Sequence, residues 1–143
     1  MNARLVRGYL YFVMVGLFLQ GLGSLLFRLI PRLPEASPLL IRGVFGIDSW
    51  HSAIHIAWGA AGVLILAARR DERVAARLAV AFGVFYTALG MLGVFTHHPF
   101  GLELDAYENT FHFTAGPMTL LVGLLAIRRA SRPRERVHAG QPS

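Results

Sequence analysis

Four strongly apolar runs, free of charged side chains, divide this chain. They lie between Arg7 and Arg28, Asp48 and Arg69, Arg77 and His97, and Glu108 and Arg128. Each is about 20 residues long, and a helix of about that length crosses the roughly 30 Å hydrocarbon core of a bilayer. No run alternates apolar and polar positions as a half-buried strand would. The pattern therefore predicts an all-α integral membrane four-helix bundle, with spans at about residues 8–28, 49–68, 78–96 and 106–127.

The breaks between the runs are equally legible. Pro31, Pro34 and Pro38 end the first span, because proline lacks the N–H that a helix interior needs. The segment from Ile30 to Gly46 reads as a loop with a short interfacial helix around Leu39 to Val44. Arg69 to Arg77 reads as a tight turn, which would make spans two and three antiparallel neighbours. His97-His98-Pro99-Phe100-Gly101 ends span three. Pro117 falls inside span four, where it should kink the helix. Residues 1–130 read as one transmembrane domain, and 131–143 as a disordered basic tail.

Two stretches look like copies of one another. Asp48-Ser-Trp50-His51, with His55 and Gly59, matches Asp105-Ala-Tyr107-Glu108, with His112 and Gly116, at a shift of about 57 positions. Gly16-Leu-Phe18 with Leu22-Gly23 likewise matches Gly83-Val-Phe85 with Leu89-Gly90. The chain thus reads as two tandem helical hairpins of the same orientation, related by an axis along the membrane normal. Gly59, Gly90 and Gly116 read as packing positions, since helices in lipid associate through close approach rather than through a hydrophobic drive.

Charge sets the orientation. The net charge is +6, carried by arginine with no lysine. Arg4 and Arg7 precede span one, four arginines from Arg69 to Arg77 lie between spans two and three, and five from Arg128 to Arg136 follow span four. By the positive-inside rule, both termini and the middle turn are expected on the cytoplasmic side of a bacterial cytoplasmic membrane. This placement reads as a topological signal and a lipid contact, not as a nucleic-acid surface. The first apolar run is too long for a signal peptide and no small-residue cleavage site follows, so it reads as a retained span. The absence of cysteine excludes disulfides, thiolate metal sites and cysteine nucleophiles. A glycine-rich bundle this small suits further association, with a second copy or with another membrane protein.

The candidate chemistry lies where spans two and four begin. Asp48 and Asp105 are placed to cap those helices, and Asp105 with Glu108 has the spacing of a capping box. His51 and His55 are four residues apart and share a helix face, as do Glu108 and His112. His55 lies about 10 Å below its cap by helical rise. A polar group at that depth faces the bundle interior and has a partner. Three readings follow. His55 and His112 could lock the hairpins by bonding to each other, to backbone carbonyls, or to Gln20 and Thr87. His51, His55, Glu108 and His112 could ligate a metal such as zinc or iron. His55 and His112 could be the axial ligands of a b-type haem between spans two and four. Anion, lipid or quinone binding completes the range. No nucleophile-base-acid set, phosphate loop or Gly-x-Ser-x-Gly motif is present, so no catalytic residue is assigned.

The segment Val44-Phe-Gly-Ile-Asp48-Ser-Trp-His51-Ser-Ala-Ile-His55-Ile-Ala-Trp-Gly59, together with Asn109-Thr-Phe-His112-Phe-Thr-Ala-Gly116, resembles the signature of a bacterial four-helix membrane family, domain of unknown function 4383. The resemblance runs over about residues 8 to 127. It implies a small multi-pass membrane protein without supplying a catalytic residue. Asp48 stands where the family commonly has asparagine, and Pro117 just after the second glycine is also unusual for it.

Overall fold

The computed structural model describes residues 3–30, 32–96, 98–104 and 106–131. Within them the chain is all-helical. In order come α1 (Ala3–Leu29), α2 (Leu33–Ala36), α3 (Leu39–Phe45), α4 (Ser49–Ala68), α5 (Glu72–Phe95), a single 3₁₀ turn (Pro99–Gly101) and α6 (Ala106–Ala130). Four of these, α1, α4, α5 and α6, are long and apolar enough to cross a membrane.

The helix boundaries differ from the apolar runs in an instructive way. The helix α5 begins at Glu72, six residues before the span expected from about residue 78. Asp71 caps it, accepting from the Arg73 N–H at 2.8 Å. The charged first turns are helical because the cap supports them, and hydropathy cannot register that. The helices α1 and α6 also extend beyond their apolar runs, into flanking arginines. The loop helix expected around residues 39–44 is α3, with Pro38 as its N-cap. The one-turn α2, with Pro34 in its first turn, was not foreseen. Helix α6 runs without interruption through Pro117. The tail from residue 132 lies outside the described residues.

The long helices pack most extensively as two pairs, α1 with α4 and α5 with α6. The helices α4 and α5 are sequential, and they are neighbours at a wider backbone spacing than either pair: Trp58 of α4 lies 6.0, 5.3 and 6.5 Å from the rings of Phe82, Phe85 and Tyr86 of α5. Glycines make the pairing possible. A Cβ at Gly59 would lie 2.6 Å from the Met14 carbonyl oxygen and the Phe18 nitrogen of α1. A Cβ at Gly116 would lie 2.7 Å from the Thr87 nitrogen of α5. Both glycines therefore face a neighbouring backbone at a separation no larger residue permits.

The main apolar core joins the pairs. Leu10, Met14 and Leu17 of α1 meet Leu66 of α4 and Phe82 and Tyr86 of α5. Many large apolar side chains remain outside, including Phe12, Leu19, Leu26, Val84 and Leu121. So wide an apolar exterior suits lipid and would be a liability in water. At one end of the molecule Arg7 donates to the Arg69 carbonyl at 2.6 Å and to the Leu66 carbonyl, closing the C-terminus of α4. At the other end lie α2, α3, the 3₁₀ turn and the first turns of α4 and α6. The candidate histidines lie at that end.

Candidate functional site

The backbone entering α4 is fixed from two sides. Arg28 of α1 donates to the carbonyls of Ile47 at 2.8 Å and Gly46 at 3.1 Å. Asp48 then caps α4 as expected, one carboxylate oxygen accepting from the His51 N–H at 2.8 Å. Its second oxygen accepts from the Glu103 N–H at 3.1 Å. This second bond, which the sequence did not suggest, ties the start of α4 to the segment leading into α6. Asp105, the other expected cap, lies outside the described residues.

From this support His51 and His55 project from successive turns of α4 towards His112 of α6. One ring nitrogen from each of the three lies within 4.8 Å of the others. All three imidazoles are buried, with 0, 1 and 0% of their surface exposed for His51, His55 and His112. The His51 ring stands edge-on to His55 at 4.6 Å between centroids, and lies 5.4 Å from His112. Glu108, also buried, places a carboxylate oxygen 3.9 Å from His51 Nδ1. Three of the four residues singled out in the sequence thus converge on one point, and Glu108 stands beside His51. Gly90 contributes by its size: a Cβ there would be 3.1 Å from the His112 Cβ.

The tautomer of His55 follows from its partners. The Gln20 amide nitrogen donates to the Val44 carbonyl of α3 at 2.9 Å. That orients the amide so its oxygen faces His55 Nδ1, at 2.6 Å. An amide oxygen only accepts, so Nδ1 carries the proton and Nε2 carries the lone pair. His55 Nε2 is buried and receives no hydrogen bond from the described residues. Neither ring nitrogen of His112 has one, nor do the Tyr86 hydroxyl and the Thr87 hydroxyl. Of the locks expected for His55 and His112, the bond to Gln20 forms and a bond from His112 to Thr87 does not.

An aromatic wall encloses the cluster. Tyr86 lies 5.8 Å from His55 and 5.3 Å from His112, and Phe111 lies 6.1 and 6.0 Å from the same rings. Tyr86 in turn stacks on Phe82 at 4.2 Å. The reading of the sequence missed Tyr86. Its signal was a lone phenol in an apolar helix, beside Thr87. Tyr107 and Trp50 are exposed at the same end. His98 is exposed, and His97 and His138 lie outside the described residues.

The haem reading does not fit this arrangement. Two axial histidines bind iron on opposite faces of a flat macrocycle, which extends several ångströms around the metal. The third imidazole, His51, lies within 4.8 Å of both candidate ligands. Its ring crowds the space beside both, which a porphyrin held between them would need. A single ion has no such requirement, and the donor set of three imidazoles with a nearby carboxylate matches zinc and related divalent metals.

A cavity of about 480 Å³ lies between α1 and α6 and reaches the cluster at His55 and His112.

No curated protein matches the chain, and no solved structure does. The family model described as "Domain of unknown function (DUF4383)" matches residues 32–125. The match is narrower than the 8–127 span of the motif resemblance: it takes in α2 to most of α6 and every residue of the histidine cluster, but leaves α1 and Gln20 outside. Covering well over half of its length, this match makes the chain a member of the DUF4383 family.

Proposed function

We propose that this protein is a multi-pass membrane protein that binds one divalent transition metal ion, of zinc type, through His51, His55 and His112. Glu108 stands as a fourth ligand or as the carboxylate partner of His51. The observation that carries the reading is the convergence of three buried imidazoles on one point, with His55 Nε2 and both nitrogens of His112 lacking protein partners. A buried polar atom without a hydrogen bond costs about 1–3 kcal/mol. A cation at the centre of the cluster removes that cost for several atoms at once.

The surroundings support the same reading. Gln20 holds His55 with its Nε2 lone pair free to ligate, as outer partners of metal-binding histidines do. Three histidines fill a tetrahedral ion's sites save one, the arrangement of zinc sites that keep a position for a small ligand. We place the site on the outer side of the membrane, with both termini cytoplasmic, from the distribution of arginines. The two-hairpin repeat gives the site its logic: each hairpin contributes the first turns of its second helix.

One observation favours a second reading. The chain of bonds from Val44 through Gln20 to His55 joins α3, α1 and α4 without any ion. In that reading the protein is structural or accessory and the histidines are hydrogen-bond locks. Purification in mild detergent followed by metal analysis decides between them. The metal reading expects about one ion per chain, lost in His112→Ala. A metal-free protein that folds normally, and that His55→Ala destabilises, would favour the lock.

A further inference from the structure

We infer that a second cavity, at the opposite end of the molecule from the histidines, holds one phosphate group, that of an acidic phospholipid in the leaflet on that side. Arg73 and Arg77 of α5 grip it beside the last turn of α6. The inference does not rest on the metal reading.

The packing of α5 on α6 sets where this cavity opens. Gly123 of α6 lies against α5: a Cβ there would be 2.8 Å from the Val80 nitrogen and 3.0 Å from the Ala76 carbonyl oxygen. The two helices run antiparallel, as the contacts of Gly83 with Leu120 and Gly93 with Asn109 show. Beyond Gly123, therefore, α6 runs on to its last turn while α5 runs back to its first. There Ala76 and Ala130 leave the space between the helices unfilled. A cavity of about 320 Å³ remains, lined also by Arg73, Arg77, Ile127 and Ser131. Ligand sites occupy about 300–1,000 Å³, so it is large enough for a small anionic group.

Its charge selects an anion. Arg73 and Arg77 are four residues apart and share a face of α5. Neither guanidinium has a hydrogen bond or ion pair among the described residues. Two like charges one turn apart repel, and an anion between them removes the repulsion. The neighbouring acids do not serve. Asp71 caps α5 through the Arg73 N–H, and Glu72 does not line the cavity. Residues 69–77 and 127–131 together hold six arginines against those two acids. The helix ends nearly cancel, because the positive N-terminal end of α5 lies beside the negative C-terminal end of α6. Selectivity therefore comes from the guanidiniums, whose forked N–H groups match the oxygens of a phosphate.

What adjoins the cavity favours a lipid over a soluble phosphate. Ile127, which forms one wall, is the last residue of the uncharged run of α6. Leu124 and Leu121 continue from it at three-residue intervals, 43 and 57% exposed on the apolar exterior. On α5 the uncharged run begins at Leu78, next to Arg77. The cavity thus stands where apolar surface meets charge, the level of the head groups flanking a bilayer core. An acyl chain can follow α6 from a phosphate held by the two arginines. Basic pockets between membrane helices take acidic lipid head groups in this way. Any arginine-rich flank attracts anionic lipid in general. A built cavity adds a stoichiometry of one and a dependence on two particular arginines.

The full-length protein in mild detergent is titrated with short-chain phosphatidylglycerol, and native mass spectrometry counts the lipids bound. The expected result is one saturable phosphatidylglycerol per chain. Phosphatidylcholine, whose ammonium cancels the phosphate charge, should bind at least about tenfold more weakly. Arg73→Gln and Arg77→Gln should each weaken phosphatidylglycerol binding at least about tenfold, or 1.4 kcal/mol. Arg70→Gln and Arg128→Gln remove the same charge outside the cavity and should leave binding nearly unchanged. Ala130→Leu keeps every charge but fills the space, and should weaken binding as the two cavity arginines do. Thermal unfolding of each variant checks that the fold is kept. Equal losses in all four arginine variants would overturn the inference in favour of diffuse charge. Full binding in a folded Ala130→Leu, or phosphatidylcholine bound as tightly as phosphatidylglycerol, would overturn it too. Inorganic phosphate that displaces the lipid at equal concentration would overturn the lipid as occupant and assign the cavity to a soluble phosphate.

Discussion

The Nδ1–H of His55 donates to the side-chain oxygen of Gln20 across 2.6 Å, joining α4 to α1. Gln20 also donates to the Val44 carbonyl, so one amide positions both a ring and a loop helix. Gln20→Ala should lower stability by about 1–3 kcal/mol, because it leaves the buried Nδ1–H of His55 without an acceptor. Thermal unfolding in detergent reads this. If the metal reading holds, the same variant should lose roughly tenfold or more in metal affinity, as when an outer partner of a ligating histidine is removed. Unchanged unfolding would mean that His55 finds another acceptor.

Asp48 offers a finer test, because its two carboxylate oxygens accept from two segments. Asp48→Ala should cost about 0.5–2 kcal/mol by removing the cap of α4. Asp48→Asn should keep the cap and lose the acceptor for the Glu103 N–H, since an amide nitrogen cannot accept. Hydrogen exchange should then quicken at Glu103 while the His51 amide stays protected. Equal exchange at Glu103 in the parent and Asp48→Asn would argue against the tether.

The glycines divide into two classes by what surrounds them. Gly59→Leu should separate α1 from α4 and destabilise the protein by at least about 1–3 kcal/mol, the usual range for overpacking. The nearest atoms include the backbone of Met14 and Phe18, which cannot step aside as a flexible side chain can. Gly8→Ala meets nothing and should be neutral or stabilise by up to about 1 kcal/mol through helix propensity. Chemical unfolding of the two variants side by side would check the contrast.

Chelation tests the cluster as a whole. Adding a strong chelator to the parent should lower its melting temperature, since an ion that binds only the folded state stabilises it. The His112→Ala variant should start lower and not respond. A parent protein indifferent to chelators and free of metal would return the histidines to a hydrogen-bonding role.

Much of this was legible in the sequence because lipid imposes simple rules. Uncharged runs gave the four long helices, and prolines gave the breaks. The four-residue spacing of His51 with His55, and of Glu108 with His112, gave two shared helix faces, and the Asp48 cap followed from one residue type at one position. The remainder depended on contacts that no local pattern encodes. The start of α5 at Glu72 lay within charged residues that a hydropathy pattern assigns to a turn. The pairing of α4 with α1, in preference to its sequence neighbour α5, is decided by which glycine meets which backbone. Tyr86 becomes part of the site only because α5 carries it between two histidines of other helices. The cavity is a space left by α1 and α6, and neither helix announces it alone.

The wider backbone spacing between α4 and α5 has a consequence for how the molecule is assembled. The short turn at Arg69–Asp71 connects two helix pairs that do most of their packing within themselves. In physical terms the chain resembles two subunits written on one polypeptide. The histidines of α4 and α6 then sit at what would be a subunit interface. Severing that turn should leave two fragments able to find each other in the bilayer, with the buried cluster acting as the clasp that reports whether they have met.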